Sequence, residues 1–124
     1  MVKIIIDTDY LLSYLLGDKM IVEKVKQYIS NEKLYITPFI LQNIGLVVED
    51  KDIFYKINNL FRVLPFDEHA TLKSIEIYFN LLNDYKENEI QLSIVNNAAI
   101  AITNKAFFLT SNKFYNAIPE LKII

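Results

Sequence analysis

Cysteine is absent from the 124-residue chain, which excludes disulfides and thiolate metal sites and agrees with a cytoplasmic location. A single histidine, His69, excludes a metal site built on paired imidazoles. Arg62 is the one arginine, so the side chain best suited to bidentate phosphate contacts is nearly missing. With a net charge of −2 and a sequence pI near 5.4, no global field draws the chain to nucleic acid. No apolar run approaches the roughly 18 residues of a membrane span, and no repeat or low-complexity tract breaks the chain. The opening reads as a strand at once, without a small-residue cleavage site, so no secretory leader is expected.

What is present is apolar surface. Hydrophobic residues make up 52% of the chain and the mean hydropathy is +0.21, which feeds a buried sheet or a partner interface. At this length the expectation is one domain over residues 1–124, large enough to bury a core without staples.

The opening stretch organises the rest. Val2 to Ile6 carries three adjacent isoleucines and reads as a strand buried on both faces, ending abruptly at Asp7. Thr8 or Asp9 is expected to cap a helix through Tyr10, Leu11, Leu12, Tyr14, Leu15 and Leu16, closed by Gly17 and Asp18. A carboxylate at the C-terminal end of a central parallel strand stands where open α/β sheets place their ligands.

A second helical pattern spans about Lys19 to Ile29, and Ser30 to Lys33 reads as a polar turn. Leu34-Tyr35-Ile36 is a short strand, and Thr37-Pro38 pairs a cap with a first-turn proline. The helix that follows runs to Val48 and contains Gly45, which costs about 1 kcal/mol relative to alanine and so points to close packing. Glu49 to Asp52 is a solvated link into a helix bearing Ile53, Phe54, Ile57, Leu60 and Phe61. Arg62 to Phe66 is a strand placed at a sheet edge by Pro65, and Asp67 caps the next helix. The polar stretch Asn83 to Glu89 is a loop or helix end. Ile90 to Asn104 is a helix apolar nearly all round, Ala106 to Thr110 a fourth strand, and Leu121 to Ile124 a last one. Short apolar strands alternating with helices predict an α/β fold with a central parallel sheet and helices on both faces.

Several segments, in order, resemble one family. The run from Asp7 to Asp18, the Ile36-Thr37-Pro38 helix start, Asn97-Ala98-Ala99-Ile100-Ala101, Leu109 to Phe114, and Ile118 to Ile124 together resemble the PIN domain, in its VapC-type toxin ribonuclease form. The resemblance implies a PIN-like domain over the whole chain and a metal-dependent endoribonuclease fold. In that fold, strand-end acids gather Mg²⁺ or Mn²⁺ and a water. A hard divalent ion needs charged oxygens to bind and to activate water.

Carried over position by position, the first family acid is Asp7. The expected glutamate falls on Asn43, with Gln42 beside it; the next aspartate falls on Asn97, after Asn96; the last falls on Asn112. Each amide keeps the shape and loses the charge. At roughly 4 Å from a dication a carboxylate contributes about 8 kcal/mol at an effective dielectric of about 20, before desolvation. Three such losses imply a site that holds an ion weakly or not at all, and the amides remove candidate general bases.

Other readings of the same residues stand beside this one. Asp7 also reads as a capping aspartate, and Asp9 as a cap or a second carboxylate ligand. Asn43, Asn97 and Asn112 singly read as surface or capping residues. Glu49 and Asp50 read as a solvated helix end, and Asp84, Glu87 and Glu89 as a polar loop. His69 reads as a surface residue, and the aromatics as core more than as base-stacking platforms. Two functions follow. One is a non-catalytic PIN module acting through a homodimer, an antitoxin-like partner, an active relative or single-stranded RNA, with the Met20/Ile21/Tyr28 face suited to protein contacts. The other is an active Mg²⁺- or Mn²⁺-dependent toxin ribonuclease that completes its site with Asp9 or with a carboxylate from a partner.

Overall fold

The central strand β1, Ile4–Ile6, is buried along its whole length and has a parallel neighbour on each side. The computed structural model describes residues 2–29 and 34–124, with residue 29 described by its backbone alone. The polar turn expected over Ser30 to Lys33 lies outside the described residues. After β1 come α1 (Thr8–Leu15), α2 (Lys19–Ile29), β2 (Leu34–Ile36), α3 (Pro38–Val47), α4 (Lys51–Leu60) and β3 (Arg62–Val63). The chain continues through α5 (Glu68–Leu81), a 3-10 turn at Glu87–Glu89, α6 (Leu92–Thr103), β4 (Phe107–Leu109), a 3-10 turn at Lys113–Ala117, and β5 (Lys122–Ile123).

The sheet is parallel throughout, in the order β3-β2-β1-β4-β5. Ile4 and Ile5 pair with Leu34 and Tyr35 on one side, and Ile4, Ile5 and Ile6 with Phe107, Phe108 and Leu109 on the other. The winding therefore reverses at β1. In an open α/β sheet the crevice at such a reversal receives the ligand, and Asp7 is the residue that enters it. As expected from Pro65, β3 lies at an edge.

The helix ends follow local chemistry. Thr37 caps α3 by accepting from the Ile40 amide at 3.1 Å, with Pro38 in the first turn. Asp67 caps α5 through the Ala70 amide at 2.9 Å. Gly17 takes a positive φ of 80° where α1 turns into α2. Gly45 of α3 faces α4: a Cβ there would stand 3.1 Å from Phe54 Cε2, so its missing side chain lets the two helices close.

Three expectations need correction. The cap of α1 is Asp7 itself, not Thr8 or Asp9, because Asp7 keeps an extended backbone while its carbonyl accepts the first helical bond from Leu11. Asp50 is more than a solvated link; it caps α4 through the amides of Asp52 and Ile53. Of the Met20/Ile21/Tyr28 face only Met20 stands free, since Ile21 and Tyr28 pack against the core. The aromatics do fall mainly in or against the core, with Tyr55 and Phe79 the exposed exceptions. Among the described residues no helix is long and apolar enough to cross a membrane.

Candidate functional site

The end of β1, the start of α1, the middle of α3, the N-terminal half of α6 and the turn after β4 converge on one cleft of about 290 Å³. Asp7, Asp9, Asn43, Asn97 and Asn112 all line it. The five positions singled out in the sequence, spread over more than a hundred residues, are thus brought together. Asp84, Glu87, Glu89 and His69 do not line this cleft. Asp84 borders a separate hollow between α5 and the segment before β5, and His69 another beside the end of α6.

Asp7 is buried and both its oxygens are engaged. Oδ1 accepts from the Thr8 amide at 2.8 Å and Oδ2 from the Thr110 hydroxyl at 2.6 Å. Thr110 in turn accepts from the Asn112 amide at 3.0 Å, which ties the turn after β4 to the end of β1. Burial pushes the Asp7 carboxyl above its ordinary range. The bonds from Thr110 and Thr8 oppose this, and the nearby charge of Asp9 adds to it. Asp9 is exposed; its Oδ1 accepts from the Tyr10 amide, and its Oδ2 from the Ser111 hydroxyl.

Asn97 is the most deeply engaged of the three amides. It lies on α6, buried, with Oδ1 accepting from the Thr37 hydroxyl at 2.5 Å and Nδ2 donating to the Tyr115 hydroxyl at 3.2 Å. Tyr115 is itself 1% exposed, and its ring packs on Phe108 with centroids 4.6 Å apart. Burial raises the Tyr115 hydroxyl above the ordinary phenol range. The charges of Asp7 and Asp9 push the same way, against the bond from Asn97. Tyr115 is therefore a neutral hydroxyl beside the carboxylates.

Asn112 lies on the rim, exposed, and caps the 3-10 turn by accepting from the Phe114 amide at 3.0 Å. Asn43 is exposed on α3 and makes no side-chain hydrogen bond among the described residues. Gln91, Ser93 and Tyr115 also line the cleft and were not anticipated from the sequence. The available signal for Tyr115 was its place three residues after Asn112, one turn into the segment that closes the site. Among the described residues no group of three or more His, Cys, Asp or Glu side chains is arranged to hold a metal ion.

No family model and no curated protein matches the sequence. Solved structures match it closely in shape. VapBC-1 from nontypeable Haemophilus influenzae aligns at a TM-score of 0.83 and 17% identity, over 99% of this chain and 97% of that chain. DNA-bound VapBC from Salmonella typhimurium aligns at 0.83 and 18%, over 100% of this chain and 98% of that chain. FitAcB from Neisseria gonorrhoeae aligns at 0.79 and 20%, over 98% and 96%. The matched chains of the VapBC assemblies are VapC toxin components, which have the PIN-domain fold. This chain has that fold, a single α/β domain on a five-stranded parallel sheet. At these identities the likeness extends to the fold, and the chemistry rests on the residues.

Proposed function

We propose that this is a VapC-like PIN module whose acid cluster has been replaced by amides, and that it acts through binding rather than RNA cleavage. The observation that carries the reading is the fate of Asn97. It stands where the family resemblance expects an acid, and both ends of its amide are consumed, by Thr37 and by Tyr115. A hard divalent ion is held best by charged oxygens, and an amide already bonded at both ends is a poor substitute for the carboxylate.

The rest of the donor set points the same way and does not fit a hard divalent ion. Asn43 and Asn112 are neutral, and the Asn112 oxygen accepts from the Phe114 amide, so the charge at the site comes from Asp7 and Asp9. Among the described residues, an Mg²⁺ or Mn²⁺ ion would find two carboxylates and no third. Without the ion the cleft lacks the Lewis acid that would activate a water and steady the phosphate.

The partner follows by analogy with the structural neighbours, which are VapBC and FitAcB assemblies. This chain pairs as a homodimer and binds an antitoxin-like protein, in the cytoplasm, with single-stranded RNA as a secondary ligand. An active toxin ribonuclease is the second reading, favoured by one observation: Asp7 and Asp9 line the same cleft. Calorimetry separates the two. Wild-type protein titrated with Mg²⁺ or Mn²⁺ is expected to give no saturable heat. Asn43→Glu, Asn97→Asp and Asn112→Asp together are expected to create binding. Saturable binding by the wild type overturns the non-catalytic reading, and silence of the triple variant overturns the placement of the site.

A further inference from the structure

We propose that the amide-lined cleft binds an amino-bearing nucleobase, of adenine or cytosine type, through its hydrogen-bonding edge. This deepens the non-catalytic reading and rests on it, since an ion on Asp7 would occupy the same oxygens.

The inference starts from groups the fold leaves unused. Thr8 Oγ1 is buried at the cleft and has no hydrogen-bond partner among the described residues. Tyr115 accepts from Asn97, and its own proton has no acceptor among the described residues. The amides of Asn43 and Gln91 are exposed at the mouth and are not engaged by the fold among the described residues. An unpaired buried hydroxyl is destabilising, so native structures usually satisfy such groups with a partner or ligand. Leu12 and Ile94 supply apolar wall between these groups.

Charge then narrows the ligand. Among the described residues, Asp7 and Asp9 are the charged residues lining the cleft, and no lysine, arginine or histidine lines it. A phosphate would meet two like charges and no cation. A purely apolar ring would leave the amides and hydroxyls without partners. A flat heterocycle with an exocyclic amine beside a ring nitrogen matches both features. The amine donates to a carboxylate or amide oxygen, the ring nitrogen accepts from an amide or hydroxyl, and the faces lie against apolar wall. Asparagine and glutamine pair with adenine, and carboxylates with the cytosine amine, in this manner. The keto edge of uracil offers an acceptor where the amine should donate, which sets it against Asp7 and Asp9. The volume of about 290 Å³ admits one base.

The base can come from a free nucleoside or from a strand, and one experiment covers both. Side-chain amide resonances of the full chain are followed in ¹⁵N-labelled protein during titration with adenosine, cytidine, uridine, adenosine 5′-monophosphate, and oligoadenylate or oligouridylate of a few residues. Adenosine and cytidine are expected to shift the Asn43, Asn112 and Gln91 amides and to bind about tenfold tighter than uridine, as one good bidentate pair discriminates. The monophosphate is expected to bind more weakly than adenosine. Asn43→Ala and Gln91→Ala, both exposed and outside the internal hydrogen-bond network, are expected to weaken adenosine several-fold without unfolding the protein. Oligoadenylate binding tighter than adenosine would assign the base to a strand; equal or weaker binding would assign it to a free nucleoside. Equal response to uridine and adenosine, or no response to any of these ligands, overturns the inference. An Mn²⁺ arm keeps the two claims apart. Nucleoside silence with Mn²⁺ silence removes the base-binding inference alone, whereas selective broadening around Asp7 by Mn²⁺ removes the non-catalytic reading and this inference with it.

Discussion

The Thr37 hydroxyl donates to Asn97 Oδ1 at 2.5 Å, and through it the start of α3 is fastened to the buried face of α6. The same Asn97 donates to Tyr115 at 3.2 Å, so one amide joins three segments that are far apart in sequence. Asn97→Leu keeps much of the volume and strands the Tyr115 hydroxyl in the core. The expected cost is about 2–4 kcal/mol in chemical denaturation. Asn97→Asp keeps the shape and lets both hydroxyls donate, so its cost is the added charge beside Asp7, of order 2 kcal/mol at neutral pH. A carboxyl disfavoured when ionised regains its place on protonation, so that cost should shrink as the pH falls toward about 4.

Asp7 carries a pH dependence of its own. Burial raises its carboxyl above the ordinary value of 3.8, against the bonds from Thr110 and Thr8. The native state then holds this proton more tightly than the unfolded chain does. The contribution of Asp7 to stability is fully present below the unfolded value and is lost as the pH rises through the folded one. Asp7→Asn removes the titration. The stability of Asp7→Asn relative to wild type should therefore be greater at pH 7 than at about pH 4 in paired urea melts. A difference that does not change with pH would show that Asp7 is not strained by its burial.

Lys105 ends α6 with φ of 55°, a left-handed conformation, while its amide and that of Ala106 reach back to Ile102 and Ala101. This is the helix ending in which glycine is usual, because a Cβ is crowded there. Lys105→Gly should raise stability by about 0.5–1 kcal/mol, less than the full steric relief because glycine also loosens the unfolded chain. Thermal melts of the two proteins check it, and a lower melting temperature for the variant would contradict the strain.

The frame of the molecule was legible because its signals are local. Three adjacent isoleucines stopped by an aspartate mark a central strand without any tertiary knowledge, and Thr37-Pro38 and Asp67 mark helix starts by chemistry that acts within one turn. The cleft was legible in part. Asn43, Asn97 and Asn112 carry no message singly and were found through the order of motifs around them. What the sequence hid is how those amides are used. The Thr37–Asn97 bond spans 60 positions, and Tyr115 reaches it from a 3-10 turn whose course depends on packing against Phe108. Asp7 reads both as a strand-end carboxylate and as a capping aspartate, and it is both; Thr8 and Asp9 draw the cap in the pattern because they open the helical run.

RNA cleavage tests the central claim most directly. Wild-type protein and Asp7→Ala are incubated with single-stranded RNA and Mg²⁺ or Mn²⁺, with a chelated control for each. The account predicts that the two proteins are indistinguishable and that neither cleaves above the chelated background. Metal-dependent cleavage by the wild type that disappears in Asp7→Ala would contradict it.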